Sequence, residues 1–190
     1  MLYKIGLYGG AFDPPHKGHI NVVKSAAAAL QIDKFLIMPS GESPHKDNRT
    51  EFKHRLNMCK IAFAQLGEVS ALEGEISGKS YTIDTLKKIK QIYPDSSVFL
   101  IIGSDMLFGF KGWNDYSGIL KLCKIAAVAR NHGEHEAVSE AVDTLNAILI
   151  NAETLPMSSS EIREKIAAGD DVERYITKEV MEYVRQHELY

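Results

Sequence analysis

Six short apolar runs, separated by segments of helical periodicity, constrain this chain more than any other feature. Tyr3–Tyr8, Lys34–Met38, Val69–Leu72, Val98–Ile102, Lys124–Ala129 and Ala147–Ile150 are mostly continuous rather than alternating. That is the pattern of strands buried on both faces of a parallel sheet. Between them lie helical patterns. Asn21–Leu30 is alanine-rich; Phe52, Leu56, Cys59, Phe63 and Leu66 recur at helical spacing within Glu51–Leu66. Ile83, Leu86, Ile89 and Tyr93 do so in Thr82–Tyr93, and Val138, Ala141, Val142 and Leu145 share a face of Glu134–Leu145. The alternation predicts an α/β fold: a doubly wound, Rossmann-like parallel sheet with helices on both faces, binding ligands at the strands' carboxyl ends. The tail departs from it. Ser158–Ala168 and Thr177–His187 read as two helices with no strand between, joined through Gly169-Asp170-Asp171. No linker, repeat or low-complexity stretch interrupts the chain, so residues 1–190 read as a single domain with the C-terminal helices, 158–190, packed on it.

Composition narrows the function classes. The chain has 190 residues, 45% hydrophobic and 25% charged, an ordinary globular balance. A net charge of -3 gives no bulk attraction for nucleic acid, so an anionic ligand must be held by local groups. No apolar run approaches the roughly 20 residues of a membrane span. The first residues enter a strand without a signal-peptide pattern, which makes the cytoplasm the expected location. Cys59 and Cys123 form no CxxC pair and no zinc spacing, and read as two reduced buried thiols.

Four segments carry candidate chemistry. The first is Gly9-Gly10-Ala11-Phe12-Asp13-Pro14-Pro15-His16-Lys17-Gly18-His19, between the first strand and a helix over Ile20–Leu30. It is neither G-x-G-x-x-G nor a P-loop. Its glycines let the backbone approach a ligand, and Gly18 keeps the helix entry open. The two histidines, three apart, share a face of the first turn, where free N–H groups and the helix dipole favour an anion. The second is Ser158-Ser159-Ser160-Glu161-Ile162-Arg163. Ser158 and Glu161 make a capping box, while the hydroxyls of Ser159 and Ser160 and the charge of Arg163 suit a second phosphate clamp. The third is Ser43-Pro44-His45-Lys46, a polar loop in which Lys46 can reach a phosphate. The fourth pairs Gly103-Ser104-Asp105, with Asp105 at the sheet's carboxyl edge, and Trp113-Asn114-Asp115-Tyr116. Trp113, the only tryptophan, sits among polar residues and glycine, a platform for a flat ring.

At these residues the chain resembles the nucleotidyltransferases with the His-x-Gly-His signature, and more closely the bacterial nicotinate-nucleotide adenylyltransferases. The resemblance runs end to end and includes Ser80-Tyr81-Thr82 before a helix. Ala11 stands where that family often has Thr or Ser, which removes a hydroxyl but not the backbone N–H. The resemblance implies transfer of AMP from ATP to nicotinate mononucleotide in NAD biosynthesis, with Mg²⁺ carried mainly by the ATP phosphates and no protein metal ligand. It implies a catalytic set of His16, His19 and Arg163. Gly9, Gly10, Ala11, Phe12, Gly103, Asp105, Ser159 and Ser160 would join them around ATP. Lys46, Tyr81, Thr82, Asp105, Trp113 and Tyr116 would surround the acceptor. The implied partners are these two small molecules, without nucleic acid or membrane, and with homo-oligomerisation left open. Rival readings are a phosphopantetheine adenylyltransferase, a nicotinamide-preferring relative, and a non-catalytic nucleotide-binding regulatory module. The module would be expected to lack a histidine or the arginine.

Overall fold

A computed structural model describes residues 3–41, 50–72, 80–129, 135–153 and 155–190, with the backbone alone at 135–137. Strands β1 (Lys4–Gly10), β2 (Lys34–Pro39), β3 (Glu68–Val69), β4 (Ser97–Gly103), β5 (Lys124–Ala129) and β6 (Ile148–Asn151) form one sheet in the order β3-β2-β1-β4-β5-β6. Every pairing is parallel. The chain winds outward from β1 to β2 and β3, then returns to β4 on the other side of β1. The order therefore reverses between β1 and β4, the place where sheets of this kind form their ligand crevice at the carboxyl ends.

Helices α1 (Lys17–Leu30), α2 (Phe52–Ala62), α3 (Thr82–Ile92), α4 (Tyr116–Leu122), α5 (His135–Leu145), α6 (Ser159–Ala167) and α7 (Lys178–Gln186) cover the sheet and its edge. Alternate residues of each central strand face opposite ways. Val98, Leu100 and Ile102 join Ile83, Leu86 and Ile119 in one core, beneath α3 and α4. Phe99 and Ile101 join Tyr8, Phe12, Val23 and Phe63 in the other, beneath α1 and α2. A third cluster joins Met58 of α2 to Ile162 of α6 and to Val180, Met181 and Val184 of α7. Cys59 and Cys123 are both buried and free, as the sequence implies. Among the described residues no helix is long and apolar enough to cross a membrane.

The alternation of apolar runs thus gives the fold class directly. The differences are local. The first helix begins at Lys17 rather than Ile20, and α2 stops at Ala62 rather than Leu66, where a turn carries Phe63 into the core. The third strand is Glu68–Val69 rather than Val69–Leu72, paired only to Leu36 and Ile37.

Candidate active site

The crevice is bounded by the turn that leaves β1. Gly9 is exposed, and a Cβ there would meet nothing closer than the Met38 carbonyl oxygen at 3.9 Å. Packing does not demand glycine at this point; the open space beside the backbone is what a side chain would occupy. Gly10 differs, since its Cβ would sit 3.1 Å from the Phe12 ring. Phe12 has φ +50°, a left-handed conformation that costs a bulky residue on the order of 1–3 kcal/mol. Its ring is 1% exposed and meets Tyr8, Phe63 and His19 edge-on, with centroids 5.4, 5.6 and 5.0 Å away. Burying such a ring contributes about 1.5–3 kcal/mol, before any gain from the aromatic pairs. Burial and the three aromatic contacts together offset the strain and pin the turn.

His16 is the N-cap of α1 and His19 its third residue. The His16 backbone N–H donates to His19 Nδ1 at 3.1 Å, and the two rings stack with centroids 3.6 Å apart and planes at 28°. With Nδ1 accepting, a neutral His19 carries its proton on Nε2, so its outer nitrogen is a donor. Gly18 has a role other than keeping the helix entry open. A Cβ there would stand 2.9 Å from His16 Cε1 and Nδ1. Glycine makes room for the first imidazole to lie on the second.

The start of α6 is drawn onto the same turn. Ser158 and Glu161 form the expected capping box. The Ser158 N–H donates to Glu161 Oε2 at 2.7 Å, and the Glu161 N–H donates to Ser158 Oγ at 3.3 Å. The Ser158 N–H, and the Ser158 hydroxyl donating to Glu161 Oε2 at 2.7 Å, hold the Glu161 carboxyl below its ordinary value. Ser159 Oγ donates to the Pro14 carbonyl at 2.9 Å. Arg163 donates from Nη1 to the Asp13 carbonyl at 2.7 Å and from Nη2 to Ser160 Oγ at 3.1 Å. Its Nε is buried without a hydrogen-bond acceptor among the described residues.

Two residues absent from the sequence expectations complete the turn's support. Arg55, 2% exposed, donates from Nη1 to the Ala11 carbonyl at 2.9 Å and from Nε to the Thr50 carbonyl at 3.0 Å. Burial pulls its guanidinium below the ordinary value, while Asp13 opposes that shift. Tyr190 donates to Asp13 Oδ1 at 2.8 Å. A signal for Arg55 existed: it lies three residues after Phe52 and four before Cys59, so a cation falls within an apolar helical stripe. Nothing local marks Tyr190.

The second side of the crevice follows β4. Gly103 ends that strand. Asp105 is exposed on a 3₁₀ turn, Ser104–Leu107, and a second such turn, Phe110–Gly112, leads to Trp113. Trp113 is half-buried, resting on Phe110 at 5.0 Å and 37°. It both covers the core and leaves surface open. Tyr116 opens α4, a helix not expected from the sequence, capped by Asp115 Oδ1 accepting from the Gly118 N–H at 3.0 Å. Thr82 is the first residue of α3, as expected, and Tyr81 occupies the N-cap position without a side-chain cap bond. Tyr81, Trp113 and Tyr116 all pack against the core beneath α3 and α4. The loop carrying Lys46 lies outside the described residues.

A doubly wound sheet with stacked imidazoles, a helix start and a guanidinium gathered at the turn after β1 is an α/β fold equipped to hold phosphates. A family model for cytidylyltransferase-like proteins matches residues 7–165. A probable nicotinate-nucleotide adenylyltransferase of Albidiferax ferrireducens is 35% identical over 195 residues, 100% of this chain and 98% of that relative. One of Fusobacterium nucleatum is 37% identical over 188 residues, 96% and 97% of the two chains. The chain belongs to the nicotinate-nucleotide adenylyltransferase family. Among solved structures, Plasmodium falciparum nicotinic acid mononucleotide adenylyltransferase complexed with APC superposes with a TM-score of 0.83 at 24% identity, over 99% of this chain and 97% of that one. At that identity the likeness bears on the fold.

Proposed function

We propose that the chain transfers the adenylyl group of ATP to nicotinate mononucleotide, forming nicotinate adenine dinucleotide and releasing pyrophosphate. The observation that carries this reading is a pair of hydrogen bonds, Ser159 to Pro14 and Arg163 to Asp13. They span 145 and 150 residues and draw a helix start onto the turn bearing His16 and His19. Two N-terminal anion sites thereby face one crevice, which suits a triphosphate. The full-length relatives of that name support the same reaction.

The acceptor's phosphate is already an anionic nucleophile, so no general base is needed. The protein has to align two anions and stabilise charge growing at the α-phosphorus. His19, with Nδ1 occupied by a backbone N–H, offers its Nε2–H to a phosphate oxygen, and His16 stacked on it offers a second imidazole. Arg163, with Nε unspent, and the N–H groups at Ser159 and Ser160 hold the departing pyrophosphate. Gly9, Gly10, Ala11 and Phe12 form the wall along the nucleotide, with Gly103 across the switch point. Trp113 and Tyr116 carry the pyridine ring, and Tyr81 and Thr82 meet its carboxylate. Asp105 accepts from a ribose, and Lys46 contacts the acceptor phosphate. N–H and O–H donors facing a carboxylate would reject an amide, which turns its own N–H₂ toward them.

The side chains proposed around the phosphates are imidazoles, hydroxyls and a guanidinium, which suit phosphate oxygens rather than a hard cation; the Asp105 carboxylate lies after β4. A Mg²⁺ ion that arrives with the phosphates and keeps its waters fits that set, and would neutralise phosphate charge. The same reading treats residues 1–190 as one catalytic domain in the cytoplasm, in keeping with the cluster that ties α6 and α7 to α2.

Pyrophosphate release from ATP, assayed with nicotinate mononucleotide, nicotinamide mononucleotide and phosphopantetheine in turn, tests the reading. Nicotinate mononucleotide should be the preferred acceptor. Preference for phosphopantetheine would overturn it. His19→Ala should lower turnover by about 10²-fold, the scale of a lost transition-state donor; near-normal turnover would remove His19 from that role.

A further inference from the structure

Tyr190 stands 177 positions from Asp13, yet its hydroxyl donates to Asp13 Oδ1 at 2.8 Å. Asp13 is 2% exposed. Its second carboxylate oxygen, Oδ2, lies 3.7 Å from Arg163 Nη1, the same nitrogen that donates to the Asp13 carbonyl at 2.7 Å. Asp13 therefore faces Arg163 with two oxygens, its backbone carbonyl and its carboxylate Oδ2. The Tyr190 hydroxyl, which also bonds the Thr50 side chain, holds the carboxylate at its other oxygen, Oδ1. Burial pushes that hydroxyl's pKa well above its ordinary value, so it remains a donor across the working range of pH. Hydrogen bonds to a charged group are stronger than neutral ones and fix orientation more firmly.

We infer that Tyr190 is a positioning residue for adenylyl transfer: its hydroxyl orients the Asp13 carboxylate, and through it the Arg163 guanidinium, for the departing pyrophosphate. The inference rests on the assignment of Arg163 to the pyrophosphate side of the site. Asp13 also faces the Arg55 guanidinium; if the route to the reaction runs through Arg163, the effect of Tyr190 should vanish when Arg163 is gone.

Forward and reverse steady-state kinetics test this. Tyr190→Phe keeps the ring and removes the hydroxyl. It should lower forward kcat by about tenfold, the scale of one lost hydrogen bond to a charged group. It should also raise the KM for pyrophosphate in the reverse direction and leave the KM for nicotinate mononucleotide unchanged. In an Arg163→Ala background the same substitution should cause no further loss, the non-additivity expected of residues acting in series. Asp13→Asn should reproduce the kinetic signature of Tyr190→Phe. Tyr183→Phe is the packing control: it removes a hydroxyl bonded to His54 and Asn57 across α2 and α7, away from Asp13. Full activity in Tyr190→Phe, additive losses with Arg163→Ala, or an equal loss in Tyr183→Phe would each overturn the inference. A wild-type chain releasing no pyrophosphate from ATP and nicotinate mononucleotide would instead remove the reading of function.

Discussion

At Gly18 a helix accepts glycine in its first turn, where alanine would stabilise it by roughly 0.5–1 kcal/mol. The reason is a neighbour's ring: a Cβ would stand 2.9 Å from His16. Gly18→Ala should therefore separate stability from activity. The His16 ring is the far end of a side chain and can swing away, so the thermal midpoint should hold or rise. Turnover should fall by about 10- to 100-fold as the imidazole leaves its place, the cost of a small misplacement of a catalytic group. A parallel fall in midpoint and turnover would show that the glycine serves the fold instead. The histidine pair is legible in sequence because its spacing is local. The stacking that makes Gly18 necessary is a contact between side chains, which spacing alone does not contain. Arg55 and Tyr190 are harder still. Their partners, the Ala11 carbonyl and the Asp13 carboxylate, lie 44 and 177 residues away.

Among the elements, α6 shows how a capping box and a ligand site share one helix start. The box uses Ser158 and Glu161, which leaves Ser159, Ser160 and Arg163 to face the turn. Ser158→Ala should destabilise by about 1 kcal/mol at neutral pH, a usual cost for a lost N-cap. It should also lower turnover, because Arg163 and Ser159 are aimed by that helix start. The sign of the pH dependence follows from Glu161, whose folded pKa is lowered by its bonds from Ser158. A lowered folded pKa contributes stability above the ordinary carboxylate range, and that contribution is lost as pH falls through the folded value. The gap in thermal midpoint between wild type and Glu161→Gln should therefore narrow on acidification; a gap constant with pH would exclude the Glu161 charge. The capping box was legible because it is a four-residue pattern. Helix α4 was not: it has seven residues, and its cap, Asp115, sits at φ +47°. Strand β3, two residues long, falls below what periodicity can locate.

On the scale of the whole molecule, the sheet separates two duties. The turn with Phe12 packs into the core beneath α1 and α2, while Trp113, Tyr116 and Tyr81 pack against the core beneath α3 and α4. The first set follows β1, and Trp113 and Tyr116 follow β4, the two strands between which the strand order reverses. That helices cover both faces was readable from alternation alone, since right-handed crossovers from a central strand place successive helix groups on opposite faces. Which motif serves which substrate was not, because it depends on which face each loop reaches. The division gives a test that does not rely on any single contact. Trp113→Ala removes a half-buried ring that rests on Phe110, on the α3 and α4 side. It should raise the KM for nicotinate mononucleotide by about tenfold or more, the worth of one stacked aromatic surface. The KM for ATP should stay near its wild-type value, because the turn bearing His16 and His19 is held by Phe12, Arg55 and Arg163 on the other side. Equal increases for both substrates would mean that the loop after β4 shapes the crevice as a unit, and would take the pyridine ring away from Trp113.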